Sequence, residues 1–517
     1  AHFVSVLPPT VRAISVLDRT KEPGSIGEPL YEDVRTAIGE LMSDGNAPFK
    51  DYPVIVGGRY GLGSAEFNAG IAKSVLDNLK EKNPKNHFTA GINDDRNFTS
   101  LPFDKEFLSE PEGVHRALFY GLGADGTVGA NKNSIKIIAE ATDNYSQGYF
   151  VYDSKKAGAV TVSHLRFGKD RIQSTYLISR ANFLACHKFS FLEKYDMLSK
   201  LEDGGVFLLN SPFVRDEIWD NIPAEVQEQI IQKKVKFYVI NAVRIAQELG
   251  LGARINTIMQ TAFFVISGVL PRDEAIKLIK DAIVKTYGKK GKNVVDMNIS
   301  AVDAALKSIE EVKYPNRVTS TLHMKPPVPE DAPEFIKNVT GEIIAGRGET
   351  IPVSALPDDG TYPTGTTKFE KRNIADEIPA WNPDLCIQCG QCSLVCPHAT
   401  IRIKFYDQGV LKNAPDSFKS VDARAKKFSG MKFTVQVAPE DCTGCGQCAN
   451  ICPGVKKVDG KKTEEKALMM QPQIPLREKE VVNWDFFIND IPETDPSIMA
   501  RTTILGSQIL PTMFEFS

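Results

Sequence analysis

Two cysteine runs near the C-terminal end constrain the fold of this chain more than any other feature. Cys386, Cys389, Cys392 and Cys396 precede Pro397, and Cys442, Cys445, Cys448 and Cys452 precede Pro453. Each run places four thiols in eleven residues with the spacing C-x2-C-x2-C-x3-C and closes on a Cys-Pro step. Structural zinc takes its thiolates as separated pairs. Disulfide frameworks belong to short, loop-rich secreted chains, whereas this chain has 517 residues and one cysteine, Cys186, outside the runs. The spacing therefore points to iron–sulfur ligation, in which a short loop wraps three thiolates around one face of a cubane and the Cys-Pro step turns the chain away.

The run is the one found in two-cluster bacterial ferredoxins, where the fourth cysteine ligates the other cluster. That gives a crossed assignment. Cys386, Cys389, Cys392 and Cys452 are expected to hold one 4Fe–4S cluster, and Cys442, Cys445, Cys448 and Cys396 the other. His398, two residues beyond Cys396, is expected to tune or pack beside a cluster.

Length allows several domains. A net charge of −3 indicates neither a nucleic-acid surface nor a polybasic membrane patch. The most apolar stretch, 255–270, is interrupted by Asn256, Thr257, Gln260, Thr261 and Ser267, too short and too polar for a membrane span. With no disulfide framework, the cytoplasm is the expected setting. The chain starts at Ala1, already inside folded-looking sequence, and is expected to be a section of a longer polypeptide.

The fold class expected is α/β multidomain, with parallel-sheet α/β domains followed by a ferredoxin-type α+β module. Strands are predicted at 11–17, 53–56, 116–122, 149–153, 160–165, 175–179, 206–209 and 236–240. Helices are predicted at 31–42, 65–79, 131–142, 242–249, 273–287 and 302–312. Their alternation indicates a mainly parallel sheet. Gly61-Leu62-Gly63 lacks the third glycine of a dinucleotide fingerprint and reads as a strand-to-helix turn. Seven prolines between 326 and 363 mark a connector or very small domain. Residues 401–440 are an insertion between the cysteine runs.

A second site is suggested by Gly121-Leu122-Gly123-Ala124-Asp125-Gly126, which matches G-x-G-x-x-G between a predicted strand and helix. The N–H groups of Ala124, Asp125, Gly126, Thr127 and Val128 would face a phosphate at the helix start. Asp153 ends the next predicted strand, where a ribose-binding acid belongs, but Lys155 and Lys156 follow closely and favour a phosphorylated ribose. The residues leave NADP and coenzyme A both open. Cys186-His187 reads as a buried structural thiol, not a nucleophile–base pair, since adjacent residues of an extended segment face opposite ways.

At this point the sequence resembles the pyruvate:ferredoxin (flavodoxin) oxidoreductase family, and specifically its central section. The resemblance is carried by Leu17-Asp18-Arg19-Thr20-Lys21-Glu22-Pro23-Gly24, by residues 121–134 beginning Gly121-Leu122-Gly123 and ending Lys132-Asn133-Ser134, and by both cysteine runs. It implies coenzyme A at Ala124–Val128 and Lys156, with Asn256 and Asn298 as further contacts. It implies a transketolase C-terminal-like domain over 1–112, a coenzyme A domain over 113–324, a small linking domain over 325–365, a two-cluster domain over 366–482, and a lead-in to a thiamine-diphosphate domain over 483–517. Thiamine diphosphate, Mg and a third 4Fe–4S cluster would belong to domains outside these 517 residues, and no catalytic residue is expected within them.

The activity implied for the whole enzyme is oxidative decarboxylation of pyruvate to acetyl-CoA and carbon dioxide. One-electron transfer to ferredoxin or flavodoxin follows, in a homodimer. The alternative reading is a stand-alone electron-transfer iron–sulfur protein with an NADP-type nucleotide domain.

Overall fold

The computed structural model describes residues 2–61, 66–123, 125–153, 159–252 and 254–510. It divides into two compact units, one containing residues up to 152 and 160–364, the other residues from 365 onward.

The first unit opens with a short helix, α1 (His2–Ser5), and a four-stranded sheet of β1 (Ala13–Asp18), β2 (Val54–Tyr60), β3 (Phe88–Ala90) and β4 (Ser100–Leu101). All neighbours are parallel and in chain order, so each connection must cross over the sheet. Helix α2 (Pro29–Ser43) begins with proline in its first turn, where a missing N–H costs nothing. Helix α3 (Ala69–Asn78) is capped by Asn68, whose Oδ1 accepts from Ile71 N at 3.0 Å. Ile55 packs with the α2 residues Tyr31, Val34 and Ile38, while Val56 packs with Ile71 and Val75 of α3. Adjacent strand residues face opposite sides, so the two helices cover opposite faces of the sheet. Leu62 and Gly63 of the glycine turn lie outside the described residues.

The second sheet has seven strands: β5 (His115–Leu122), β6 (Tyr145–Tyr152), β7 (Val160–Gly168), β8 (Ala181–Cys186), β9 (Leu201–Asn210), β10 (Lys236–Ile240) and β11 (Glu310–Glu311). Their order is β11-β10-β9-β8-β5-β7-β6. Only β5, β8, β9 and β10 form the parallel core; β6, β7 and β11 pair antiparallel with their neighbours. The expected mainly parallel sheet is therefore mixed, because β6 and β7 form a hairpin in register from Tyr152↔Thr161 onward. The stretch 175–179 is loop, and the strand lies at β8 instead.

Helices α4 (Thr127–Ala141), α5 (Ala224–Gln232), α6 (Ala242–Glu248), α7 (Asn256–Ser267), α8 (Arg272–Tyr287) and α9 (Lys292–Ser308) complete this layer. The apolar stretch near 255–270 is α7, a helix buried along residues 257–264. Its Phe263 ring lies 5.1 Å from both Phe119 and Phe183 of the sheet. Beyond residue 325 the chain makes short turns, a single π-helical turn and α10 (Gly341–Ile344), pinned by a 2.7 Å hydrogen bond between Thr340 Oγ1 and Tyr362 OH.

The second unit contains β12 (Glu377–Trp381), β13 (Ile401–Tyr406), β14 (Val421–Asp422), β15 (Lys432–Val437), β16 (Val455–Val458), β17 (Lys461–Lys466) and β18 (Leu468–Pro472). It also has the short helices α11 (Gln391–Leu394), α12 (Gln447–Ile451) and α14 (Ile504–Gln508), and the longer α13 (Ile474–Asn489). The insertion between the cysteine runs is the three-stranded antiparallel sheet β13-β15-β14. Ile401, Ile403 and Phe405 on one face of β13 enter a core with Trp381, Phe433 and Val435. Tyr406 on the other face packs with Phe486 and Phe487 of α13. The boundary expected at 482 falls inside α13, which packs Leu476 before that point and Phe486 and Phe487 after it.

Candidate functional site

Each cysteine run folds the same way. A loop carries the first two cysteines, a glycine in the left-handed region opens a short helix at Gly390 or Gly446, and the third cysteine lies within that helix. Between the first and second cysteines the backbone turns left-handed at Gln388 (φ 59°) and at Gly444 (φ 70°). At Gly444 a Cβ would stand 3.1 Å from the Glu377 carbonyl oxygen, so a side chain there would crowd that carbonyl. At Gln388 the strained conformation is held by the side chain, which donates to Asp422 O at 2.8 Å and accepts from Arg424 N at 2.8 Å. Both turns aim an amide at the first sulfur: Gln388 N and Gly444 N each lie 3.4 Å from Sγ of Cys386 and Cys442 respectively.

The eight thiols gather in two cavities. One is lined by Cys386, Cys389, Cys392 and Cys452. The other is lined by Cys396, Cys442, Cys445 and Cys448. Each therefore collects three cysteines of one run and the fourth of the other. His398 lines the second cavity, and its imidazole is pushed down by burial and then by the charge of Arg372.

The donor chemistry suits a multinuclear iron group. Burial, and then the charge of neighbouring thiols, drives Cys392 upward; burial is likewise the main cause that pushes Cys448 to about 12 and Cys442 to about 11. Four thiolates in one such cavity are unfavourable unless a polycationic core compensates them. Among the described residues no three Cys, His, Asp or Glu side chains converge closely enough to hold a single ion. The sulfurs instead surround a shared space, as a group with its irons between them needs. Cys392 also feels the charge of Cys448, which places the two sets side by side.

The glycine loop lies between β5 and α4. Asp125 points inward and braces it: Oδ2 accepts from Leu122 N at 2.9 Å and Oδ1 from Thr127 N at 2.8 Å. Thr127 Oγ1 lies 2.6 Å from Nδ1 of His187, whose Nε2 is buried with no hydrogen-bond partner among the described residues. Gly126 has φ 84°, and a Cβ there would stand 3.0 Å from Asn256 Cγ. The structure thus brings Asn256, at the start of α7, against the loop. Thr257 Oγ1 then donates to Asn298 Oδ1 at 3.1 Å. Gly126 is exposed, Val128 half-buried, and Asp125, Thr127 and Asn298 buried. Ala124 and Lys156 lie outside the described residues.

The link from His187 to the loop was not expected from the sequence, because it joins residues 60 positions apart. Cys186 is the buried thiol expected: Sγ donates to Lys188 O at 3.1 Å, and burial raises it to about 12. The dinucleotide reading loses its geometric basis. In that motif the ribose-binding acid ends the strand beside the glycine loop's own strand, but here β7 stands between β5 and β6.

Taken together, the site is that of a two-cluster iron–sulfur electron carrier fused to an α/β domain. Residues 378–453 match the model described as 4Fe-4S dicluster domain, residues 116–308 that of pyruvate ferredoxin/flavodoxin oxidoreductase, and residues 321–375 a domain of unknown function. The whole chain is 56% identical to a putative pyruvate-flavodoxin oxidoreductase of Synechocystis, covering 42% of that protein. It is 55% identical to the pyruvate-flavodoxin oxidoreductase of Trichormus variabilis, covering 43%, and 51% identical to the pyruvate:ferredoxin oxidoreductase of Moorella thermoacetica, covering 42%. The chain is similar over its whole length to these pyruvate:ferredoxin and pyruvate-flavodoxin oxidoreductases, and it spans less than half the length of each of these curated relatives. Among the described residues no helix is long and apolar enough to cross a membrane.

Proposed function

We propose that this chain is the central, coenzyme A-binding and electron-carrying section of an enzyme that oxidatively decarboxylates pyruvate to acetyl-CoA and passes single electrons to ferredoxin or flavodoxin. The observation that carries the reading is the sorting of eight cysteines into two cavities, each with three ligands from one run and one from the other. Cys386, Cys389, Cys392 and Cys452 hold one 4Fe–4S cluster; Cys442, Cys445, Cys448 and Cys396 hold the other. Bound clusters supply one-electron chemistry that side chains cannot. The protein holds them with thiolates, donates backbone N–H groups to the first sulfur of each run, and keeps the two sets adjacent.

The exposed Gly126, the neighbouring N–H groups of the first turn of α4, and Asn256 bind coenzyme A, with Lys156 meeting a phosphate. Asp125 and His187 act from behind, bracing the loop. This is catalysis by positioning, bringing a thiol carrier to an intermediate formed elsewhere in the enzyme. Thiamine diphosphate, Mg and the third cluster are assigned to sections outside this chain, the functional enzyme to a homodimer, and its setting to the cytoplasm. The domain limits remain those expected from the sequence, except that α13 carries the two-cluster domain to about residue 491.

Equilibrium binding tests the coenzyme A assignment. The chain should bind coenzyme A in preference to NADPH, and Lys156→Ala should weaken it by about 1–3 kcal/mol, the range for a charge-assisted hydrogen bond. Tight NADPH binding with no coenzyme A binding would reverse the assignment.

A further inference from the structure

The two cysteine runs share one eleven-residue spacing, yet the surroundings of the two thiol sets differ. We propose that this difference orders their reduction potentials, with the set of Cys396, Cys442, Cys445 and Cys448 the higher and the Thr400 hydroxyl its principal side-chain lever. The inference rests on the reading of both sets as 4Fe–4S ligands.

The backbone serves both sets alike: Gln388 N lies 3.4 Å from Cys386 Sγ and Gly444 N 3.4 Å from Cys442 Sγ. The second set receives more. Thr400 is 3% exposed, and its Oγ1 lies 3.3 Å from Cys396 Sγ. The same hydroxyl acts more weakly on Cys442, without hydrogen-bond geometry. Its direct contact is with Cys396, the ligand that the first run contributes to this set. Once these sulfurs are thiolates, the hydroxyl is the donor.

Thr400 follows Cys396 by four residues. The residue four beyond Cys452 is Lys456, an exposed side chain paired with Glu465 at 2.8 Å. The first set has instead the buried indole N–H of Trp381, which acts on Cys386 without reaching hydrogen-bond geometry. The walls differ in the same direction. Ile403, Phe433, Val435 and Leu468 line the first cavity; Ile401 and Met470 line the second, but so do His398, Thr400, Thr443 and Gln447, and its Cys445 is exposed while Cys442 and Cys448 are buried. Reduction adds one negative charge to a cluster. Donors aimed at its thiolates, and water nearby, stabilise that charge better than an apolar wall does, and so raise the potential.

The test is a potentiometric titration, followed by EPR, of the full chain with its clusters reconstituted anaerobically. Thr400→Val and Thr400→Ala both remove the hydroxyl, and Thr400→Ser keeps it. The two deletions should shift the higher-potential signal downward and leave the lower one in place, while the serine variant stays near wild type. In a Cys389→Ser background the remaining signal should be the higher-potential one. Unchanged potentials in a hydroxyl deletion that retains both clusters by iron and sulfide analysis would overturn the proposal. So would a serine variant that shifts as far as valine, or survival of only the lower-potential signal in Cys389→Ser. Wild-type chain that takes up no iron would overturn the ligand reading itself, visible in the metal analysis before any potential is measured.

Discussion

Lys404 offers the sharpest test of how the cluster module is held together. It sits on β13 on the face opposite Ile403 and Phe405, and is 3% exposed. Its Nζ donates to the carbonyl oxygens of Phe487 at 2.9 Å and Ile491 at 2.7 Å, and pairs with Glu493 at 2.9 Å. The ammonium also lies 4.9 Å from the centre of the Phe487 ring. Lys404→Met keeps the apolar stem and removes the charge. Each hydrogen bond to a charged group contributes about 1.5–3 kcal/mol, and the two carbonyls would lose their donor. Relief of the buried ammonium's desolvation offsets part of this. The net loss is about 2–4 kcal/mol in the attachment of α13 to the sheet.

Because a chain with bound clusters and two units does not unfold in one step, the measurement should be local. Amide exchange along α13 should accelerate by about 30- to 700-fold, the equivalent of that energy. Exchange in α4 and α7 should not change. Glu493 is half exposed, so Glu493→Gln should cost no more than about 1 kcal/mol. Unaltered α13 protection in Lys404→Met would refute the role of the buried ammonium.

Three further outcomes are expected. Cys389→Ser should remove one cluster and halve the iron content while the second EPR signal persists; full iron retention would contradict the ligand assignment. Gly126→Ala should strain the left-handed turn and push Asn256 aside, weakening coenzyme A binding at least about tenfold with unchanged circular dichroism; wild-type affinity would detach that loop from the site. His187 is held down to about 4 by burial, so its neutral form favours the fold: the contribution is complete above pH 6.5 and is lost as pH falls toward 4, about 3 kcal/mol in all. An imidazole NMR resonance that stays neutral down to pH 5 is the expected result, and titration near 6.5 would exclude it.

The sequence made some of this legible and hid the rest for physical reasons. Cysteine spacing fixes local loop geometry, so the paired cavities could be foreseen from eight residues. Strand β10 was found at its full length because a short apolar run ends cleanly at both sides. Helix α7 is not legible as an amphipathic helix, since a helix buried along consecutive residues has no polar stripe to reveal its period. The order of β5, β7 and β6 depends on a hairpin that periodicity does not report, and with it went the geometric place of Asp153. The contacts of Gln388 with Asp422 and Arg424 join residues distant in sequence and required the fold itself.

The insertion sheet has an effect on how freely this region can vary. Its register pairs Ile401 with Val437, and Ala438 N donates to Thr400 O at 2.7 Å. Chain entering from Cys396 and chain leaving toward Cys442 are thus clasped at the base. Length spliced at the exposed Lys412-Asn413, between Leu411 and Ala414 that pack with α13, adds chiefly the closure entropy of a surface excursion, about 0.6 kcal/mol for each doubling. The sulfur positions are insulated from that tip, which makes it the natural place to graft a tag or reporter into the module.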